Sequence, residues 1–205
     1  MSFKKNNYEI IRQAISKELA NFICNYFTLN KNVTRFLLSK GYIQSGNPLF
    51  GNWNDPDIPY SFCKYGDHAM ETLLMQMLPI MIKTTGVKLH PTYSYARIYK
   101  KGDILERQKD RASCKISTTL FLGGDQWDIY LEPSGQKNKK GIKITLNQGD
   151  MLIYKGQDME HWRNRFKGNI CTQVFLHYNN ITDKQNKLDQ RQMLGLPPTK
   201  KVIFH

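Results

Sequence analysis

Near Pro91 the spacing of apolar residues changes from a helical to a strand period, and this change constrains the fold more than any other feature of the chain. Before it, residues 8–28 carry Ile11, Ile15, Leu19, Phe22, Ile23 and Tyr26, which would line one face of an α-helix. A second helix is expected over 68–85, where Asp67 can cap the start, Met70, Leu73, Leu74, Met77 and Met81 share a face, and Gly86 can end it. Pro79 could kink this helix, and its methionine stripe reads as core filling. Between the two, residues 46–61 (GNPLFGNWNDPDIPYS) concentrate turn formers and predict a loop. After Pro91 come short alternating or β-branched runs at 93–99, 114–122, 128–132, 142–146, 150–154 and 170–178. Such runs predict a mainly β fold, an antiparallel jelly-roll or barrel with helices buttressing one sheet.

At 205 residues the chain has the size of one domain: a helical support region over 1–90, a β core over 91–180 and an extension over 181–205. No apolar run approaches the roughly 18 residues a membrane span needs, and MSFKKNNYEI lacks the apolar run of a signal peptide. The expectation is a cytoplasmic protein with no membrane partner. Cys24, Cys63, Cys114 and Cys171 show no metal or redox spacing and read as reduced core residues. The net charge of +13 could steer the chain toward anionic partners. Its lysines are dispersed through loops and no basic helix is evident, so nucleic acid is the lesser reading beside a small-molecule, peptide or protein substrate.

Chemistry-bearing residues gather in the strand-rich half. Tyr99-Lys-Lys-Gly102-Asp-Ile-Leu105-Glu-Arg-Gln108-Lys-Asp110 is followed by Gly149-Asp150-Met-Leu-Ile-Tyr154 and then Glu160-His161-Trp162-Arg163. If 108 and 110 occupy alternate positions of one strand they point the same way, and a residue from a neighbouring strand, His161, can complete one face of a metal site.

The ordered set resembles the prolyl 4-hydroxylase-like branch of the iron(II)/2-oxoglutarate oxygenases over roughly Tyr93 to Asn180, and the segments YSFCKYGDHAME and RQMLGLPP are similar to bacterial and phage members. The resemblance implies a double-stranded β-helix, a jelly-roll of cupin-like type, with Fe(II) and 2-oxoglutarate as cofactor and cosubstrate. It implies metal ligands at 108, Asp110 and His161, with cosubstrate decarboxylated to succinate as an unactivated carbon is hydroxylated, on a prolyl or other side chain of a protein or peptide, or on a free amino acid. One ligand departs from the pattern, because Gln108 stands where His is expected and its amide oxygen is a weaker donor to iron(II) than imidazole. A natural Gln-ligated variant, a non-catalytic binding protein and an engineered substitution all fit this change.

The family's basic anchor for the far carboxylate of 2-oxoglutarate is also missing from 170–173, which read Ile-Cys-Thr-Gln. Arg163, sharing a strand face with His161, is the preferred substitute and Arg97 the runner-up. Tyr99 matches the family tyrosine that hydrogen-bonds the cosubstrate, and would otherwise be a core aromatic. Arg111 could orient Asp110, bind substrate or lie in solvent. Trp127, Trp162, Tyr130 and His177 are candidates for the pocket mouth.

Overall fold

The computed structural model describes residues 3–137, 139–184 and 187–198. A short helix α1 (Phe3–Asn6) leads into strand β1 (Tyr8–Ile11), helix α2 (Lys17–Ser39), strand β2 (Phe62–Tyr65) and helix α3 (His68–Thr85). Eight strands follow: β3 (Leu89–Lys100), β4 (Leu105–Gln108), β5 (Ile116–Gly124), β6 (Ile129–Leu131), β7 (Ile142–Ile144), β8 (Met151–Tyr154), β9 (His161–Arg163) and β10 (Ile170–Asn180). They form a six-stranded sheet in the order β1-β8-β5-β10-β3-β2 and a four-stranded sheet in the order β4-β9-β6-β7. All the strand pairings are antiparallel.

Strand alternation divides the interior into two layers. On β5, β8 and β10, Leu120, Leu122, Met151, Ile153, Val174 and Leu176 face the helices, meeting Ile23 and Phe27 of α2 and Met70, Leu74 and Met81 of α3. Phe121, Leu152, Tyr154 and Cys171 point the other way, onto Leu105, Ile129, Leu131 and Ile144 of the smaller sheet. Because both faces of the large sheet are covered, a one-residue slip would exchange the two layers and is strongly opposed.

The helix over 68–85 forms as expected: Asp67 accepts from the amides of Ala69 and Met70, and Gly86 closes it in the left-handed conformation at φ 70°. The helix over 8–28 does not. Residues 8–11 are a strand paired with 151–154, and the helix starts only after Ser16, whose hydroxyl accepts from the Leu19 amide, and runs on to Ser39. The Tyr-Glu-Ile-Ile run suits an edge strand, so Ile11 and Ile15 reach the core from outside the helix. The four cysteines are free, with Cys63, Cys114 and Cys171 buried.

Residues 187–196 strap the chain's later part back onto α3 and β3. Arg191 grips buried Glu71 through two bonds of 2.8 and 3.1 Å and donates to the Thr92 carbonyl at 2.9 Å. Leu188, Asp189 and Gln190 all hold positive φ, which side chains beyond Cβ disfavour, so this turn depends on its ion pairs. Replacing Arg191 with Met leaves Glu71 buried without its partner, and chemical denaturation is expected to register a loss of roughly 3–5 kcal/mol.

Candidate active site

Strand β3 supplies one wall of a cleft between the sheets. Its alternation turns Tyr93, Tyr95, Arg97 and Tyr99 inward, while Ala96 and Ile98 pack toward the helices. From β10, Phe175 and His177 join them on the same principle. Opposite stand Leu105 and Gln108 of β4, Ile129 of β6 and His161 of β9. Counted to its open mouth, with the solvent-filled space included, the cleft holds about 720 Å³.

Gln108 and His161 are direct cross-strand partners, and both line the cleft. Asp110 does so from a different backbone setting than strand alternation predicts. β4 ends at Gln108, and Asp110 is held just beyond it by a hydrogen bond from its amide to the Gly156 carbonyl, 2.9 Å. Its Oδ1 lies 3.5 Å from His161 Nε2, while Oδ2 accepts from the Ser117 hydroxyl at 2.5 Å. Ser117 also meets His177 Nδ1 at 3.0 Å, so Asp110, Ser117 and His177 form a chain. Burial pushes the His177 pKa down to about 4, against the opposing pull of Asp110, which leaves its ring neutral near pH 7. His161 Nδ1 sits 3.3 Å from the Met159 carbonyl, an arrangement that favours a proton on Nδ1 and a free Nε2 toward Asp110.

One carboxylate and one imidazole thus converge with an amide side chain between the strands, a donor set able to hold a divalent cation. No group of three or more His, Cys, Asp or Glu side chains suited to a metal occurs among the described residues. Gln108 lines the cleft beside His161, its cross-strand partner.

The two candidate anchors differ sharply. Arg97 faces the cleft but is already neutralised: Asp55, from the loop before β2, accepts from both its guanidinium and the Tyr95 hydroxyl. Arg163 shares the inward face of β9 with His161, yet it is not among the residues lining the cleft. It is 1 % exposed, donates to the Trp127 carbonyl and at 3.2 Å to the Thr119 hydroxyl, and its Nε has no hydrogen-bond partner. Among the described residues no carboxylate forms an ion pair with it. Tyr99 stands between the two arginines, 5.5 Å from the Arg97 guanidinium over its ring; burial pushes its pKa up to about 12, and both arginines counter that shift.

Of the other candidates, His177 and Arg111 line the cleft, the latter gripped by Asp189 at 2.6 and 2.9 Å and lying over the Tyr93 ring. Trp127 lies over Arg163 instead. Trp162 and Tyr130 stack on each other on the outward side of the smaller sheet, since alternation that turns His161 and Arg163 inward must turn Trp162 out. Sequence reading missed Asp55, Ser117 and Asp189. Only Ser117 left a trace, as a position within the 114–122 run already read as a strand.

No family model and no curated protein matches the chain. Solved structures do match in fold. A Pseudomonas putida prolyl-4-hydroxylase superposes with a TM-score of 0.59 at 11% identity, covering 87% of this chain and 95% of that one. HygX from Streptomyces hygroscopicus, with nickel, 2-oxoglutarate and hygromycin B bound, gives 0.60 at 11% identity over 87% and 85%. The α-ketoglutarate-dependent epimerase SnoN of nogalamycin biosynthesis gives 0.62 at 10% identity over 98% and 94%. The expected double-stranded β-helix is therefore the fold of this chain.

The Asp55 contact yields a direct test of the cleft's electrostatics. Asp55→Ala strips the buried Arg97 of its charged acceptor and is expected to cost about 3–5 kcal/mol. Added acetate should return part of that stability to the variant and little to the parent, which thermal melts at constant ionic strength would reveal.

Proposed function

We propose that the chain is an iron(II)- and 2-oxoglutarate-dependent oxygenase that hydroxylates an unactivated carbon, using a Gln108, Asp110 and His161 metal site. The observation that carries this reading is the convergence of Asp110 and His161, fifty-one positions apart in sequence, to 3.5 Å inside the cleft of this fold. HygX, a neighbour in fold, binds nickel and 2-oxoglutarate. In substrate the proposal covers a prolyl or other side chain of a protein or peptide, a free amino acid, or a small metabolite.

In this reading Asp110 and His161 are the strong donors and the Gln108 oxygen the weak one, with Ser117 fixing the second oxygen of Asp110 so that the first stays directed at the site. Iron(II) and 2-oxoglutarate bound here would supply oxidation by dioxygen, one oxygen atom passing to succinate as 2-oxoglutarate loses CO2 and the other converting a substrate C–H bond into C–OH. Tyr99 remains protonated and can donate to a cosubstrate oxygen. Arg163, whose buried Nε lacks a hydrogen bond as that of Arg97 does, would receive the far carboxylate, for which its lack of a carboxylate partner suits it. This requires the cosubstrate to extend past Tyr99. Leu105, Ile129 and Phe175 keep water from the reacting region.

A second reading, a 2-oxoglutarate-fold binding protein without turnover, is favoured by one residue, Gln108. Anaerobic iron(II) and 2-oxoglutarate titration of the parent beside Gln108→His separates the two. The imidazole is expected to tighten iron binding by about 10–100-fold and to raise succinate formation with it. If Gln108→His binds iron tightly and never consumes 2-oxoglutarate, the binding reading prevails. Rapid turnover by the parent would mean that Gln108 is no defect.

Arg163 gives an independent check. In Arg163→Met a buried, uncompensated cation is replaced by an apolar chain of similar length, so thermal stability without ligand should hold or rise. Calorimetry should meanwhile show 2-oxoglutarate binding weakened well over tenfold, by about 2–5 kcal/mol. Unchanged binding excludes Arg163 and passes the role to Arg97.

A further inference from the structure

Helix α2 buries one face against the large sheet through Ala20, Ile23, Phe27 and Thr34. Its opposite face is not polar. Phe22, Leu29, Val33 and Phe36 are 67%, 62%, 44% and 55% exposed. Their spacing of seven, four and three residues puts all four within a narrow stripe at 100° per residue. Single exposed apolar residues are ordinary, but a contiguous stripe of two phenylalanines, a leucine and a valine marks an interaction surface.

Charge along the helix indicates what covers it. Going round the helix, Glu18 falls at the amino-terminal end of the stripe and Lys40, its C-cap residue, at the other end. Between them the stripe has no charge, because Lys31 and Arg35 are turned to the far side, where Arg35 lies over Trp53. In a chain of net charge +13 this is a locally neutral face with one negative end and one positive end. A polyanion would require the reverse, and a membrane-surface helix would carry basic residues beside its apolar face.

We infer that a second copy of this chain docks here, α2 against α2 in antiparallel sense about a two-fold axis at Leu29. Such an axis sets Leu29 against its own copy, Phe22 against Phe36, Val33 against Asn25, and Glu18 against Lys40 at both ends. The contact is self-complementary, as a two-fold interface must be. It also lets two strongly basic molecules meet where neither presents net charge, with the rest of their repulsion screened beyond about 8 Å at physiological salt. The cleft lies on the other side of the large sheet, so dimerisation leaves it open.

Sedimentation velocity on the full chain tests this. A monomer–dimer equilibrium is expected, and Leu29→Glu, which brings two carboxylates together on the axis, should give monomer at every concentration with an unchanged circular dichroism spectrum. Glu18→Lys and Lys40→Glu should each weaken association by at least about tenfold, and the double exchange should restore it. A parent that stays monomeric overturns the inference, as does a dimer that survives Leu29→Glu. Loss of association in the double exchange equal to that in the single variants overturns the antiparallel pairing. If the monomeric parent co-sediments with phosphatidylserine vesicles, the stripe belongs to a membrane surface instead.

Discussion

The cleft depends on one constraint, the burial of the β3–β10 pair on both faces. With helices on one side and the smaller sheet on the other, neither strand can shift by a residue without driving Tyr93, Tyr95, Arg97 and Tyr99 into the helical layer and Ala96 and Ile98 into the cleft. That exchange would bury a guanidinium and three hydroxyls against methionine and leucine, at a cost far above a domain's net stability. The positions of the polar groups in the cleft are thus fixed by apolar packing on the side where no chemistry occurs. His177 follows from the same pairing, since it lies across from Tyr93 on β10.

Two arginines on the inward faces of this fold meet opposite fates. Arg97 is matched by Asp55, a residue of an irregular loop, and Ile58 of the same loop packs into the layer between the sheets with Tyr99 and Leu105. Loop and cation therefore hold each other in place, and the Arg97 charge is largely spent within the protein. Arg163 has a carbonyl, a hydroxyl and the Trp127 ring for company, and no carboxylate among the described residues pairs with it. A buried charge without a counterion is costly, and on the proposed reading the carboxylate of 2-oxoglutarate would offset that cost. This physical difference, more than position in the sequence, favours Arg163 over Arg97 as an anchor.

How far the sequence could be read follows from the range of the interactions involved. The helix from His68 to Thr85 was legible because its signals are local: Asp67, a 3.6-residue apolar repeat and Gly86. Six of the strands between 89 and 180 were legible because alternation is local too, whereas β4 and β9, four and three residues long, were absent from those runs. The start of α2 was misjudged because Ile11 and Ile15 continue a helical spacing by coincidence, and only the pairing of 8–11 with 151–154 shows that they belong to a strand and a turn. In the candidate site, the ordered set and the family it resembles pointed to Gln108, Asp110 and His161, all three of which line the cleft. Asp55 and Asp189 could not be found that way, since each meets its arginine across a separation of 42 and 78 residues with no motif to announce it. Trp162 was misassigned for a different reason: its strand and neighbours were right, but one position of alternation decides between cleft and exterior.

On the proposed reading, the weak donor at 108 and the uncompensated cation at 163 have a joint consequence. A metal held mainly by Asp110 and His161 gains much of its remaining coordination from the cosubstrate, and the cosubstrate gains its second contact from Arg163. Each ligand then raises the affinity of the other by the same factor, as thermodynamic linkage demands. An imidazole at 108 would shift part of the metal's binding energy onto the protein and reduce that mutual dependence. Gln108 therefore need not mark decay. It converts a site that would retain iron on its own into one that fills only when 2-oxoglutarate is present, provided that Tyr99 lets the far carboxylate reach Arg163.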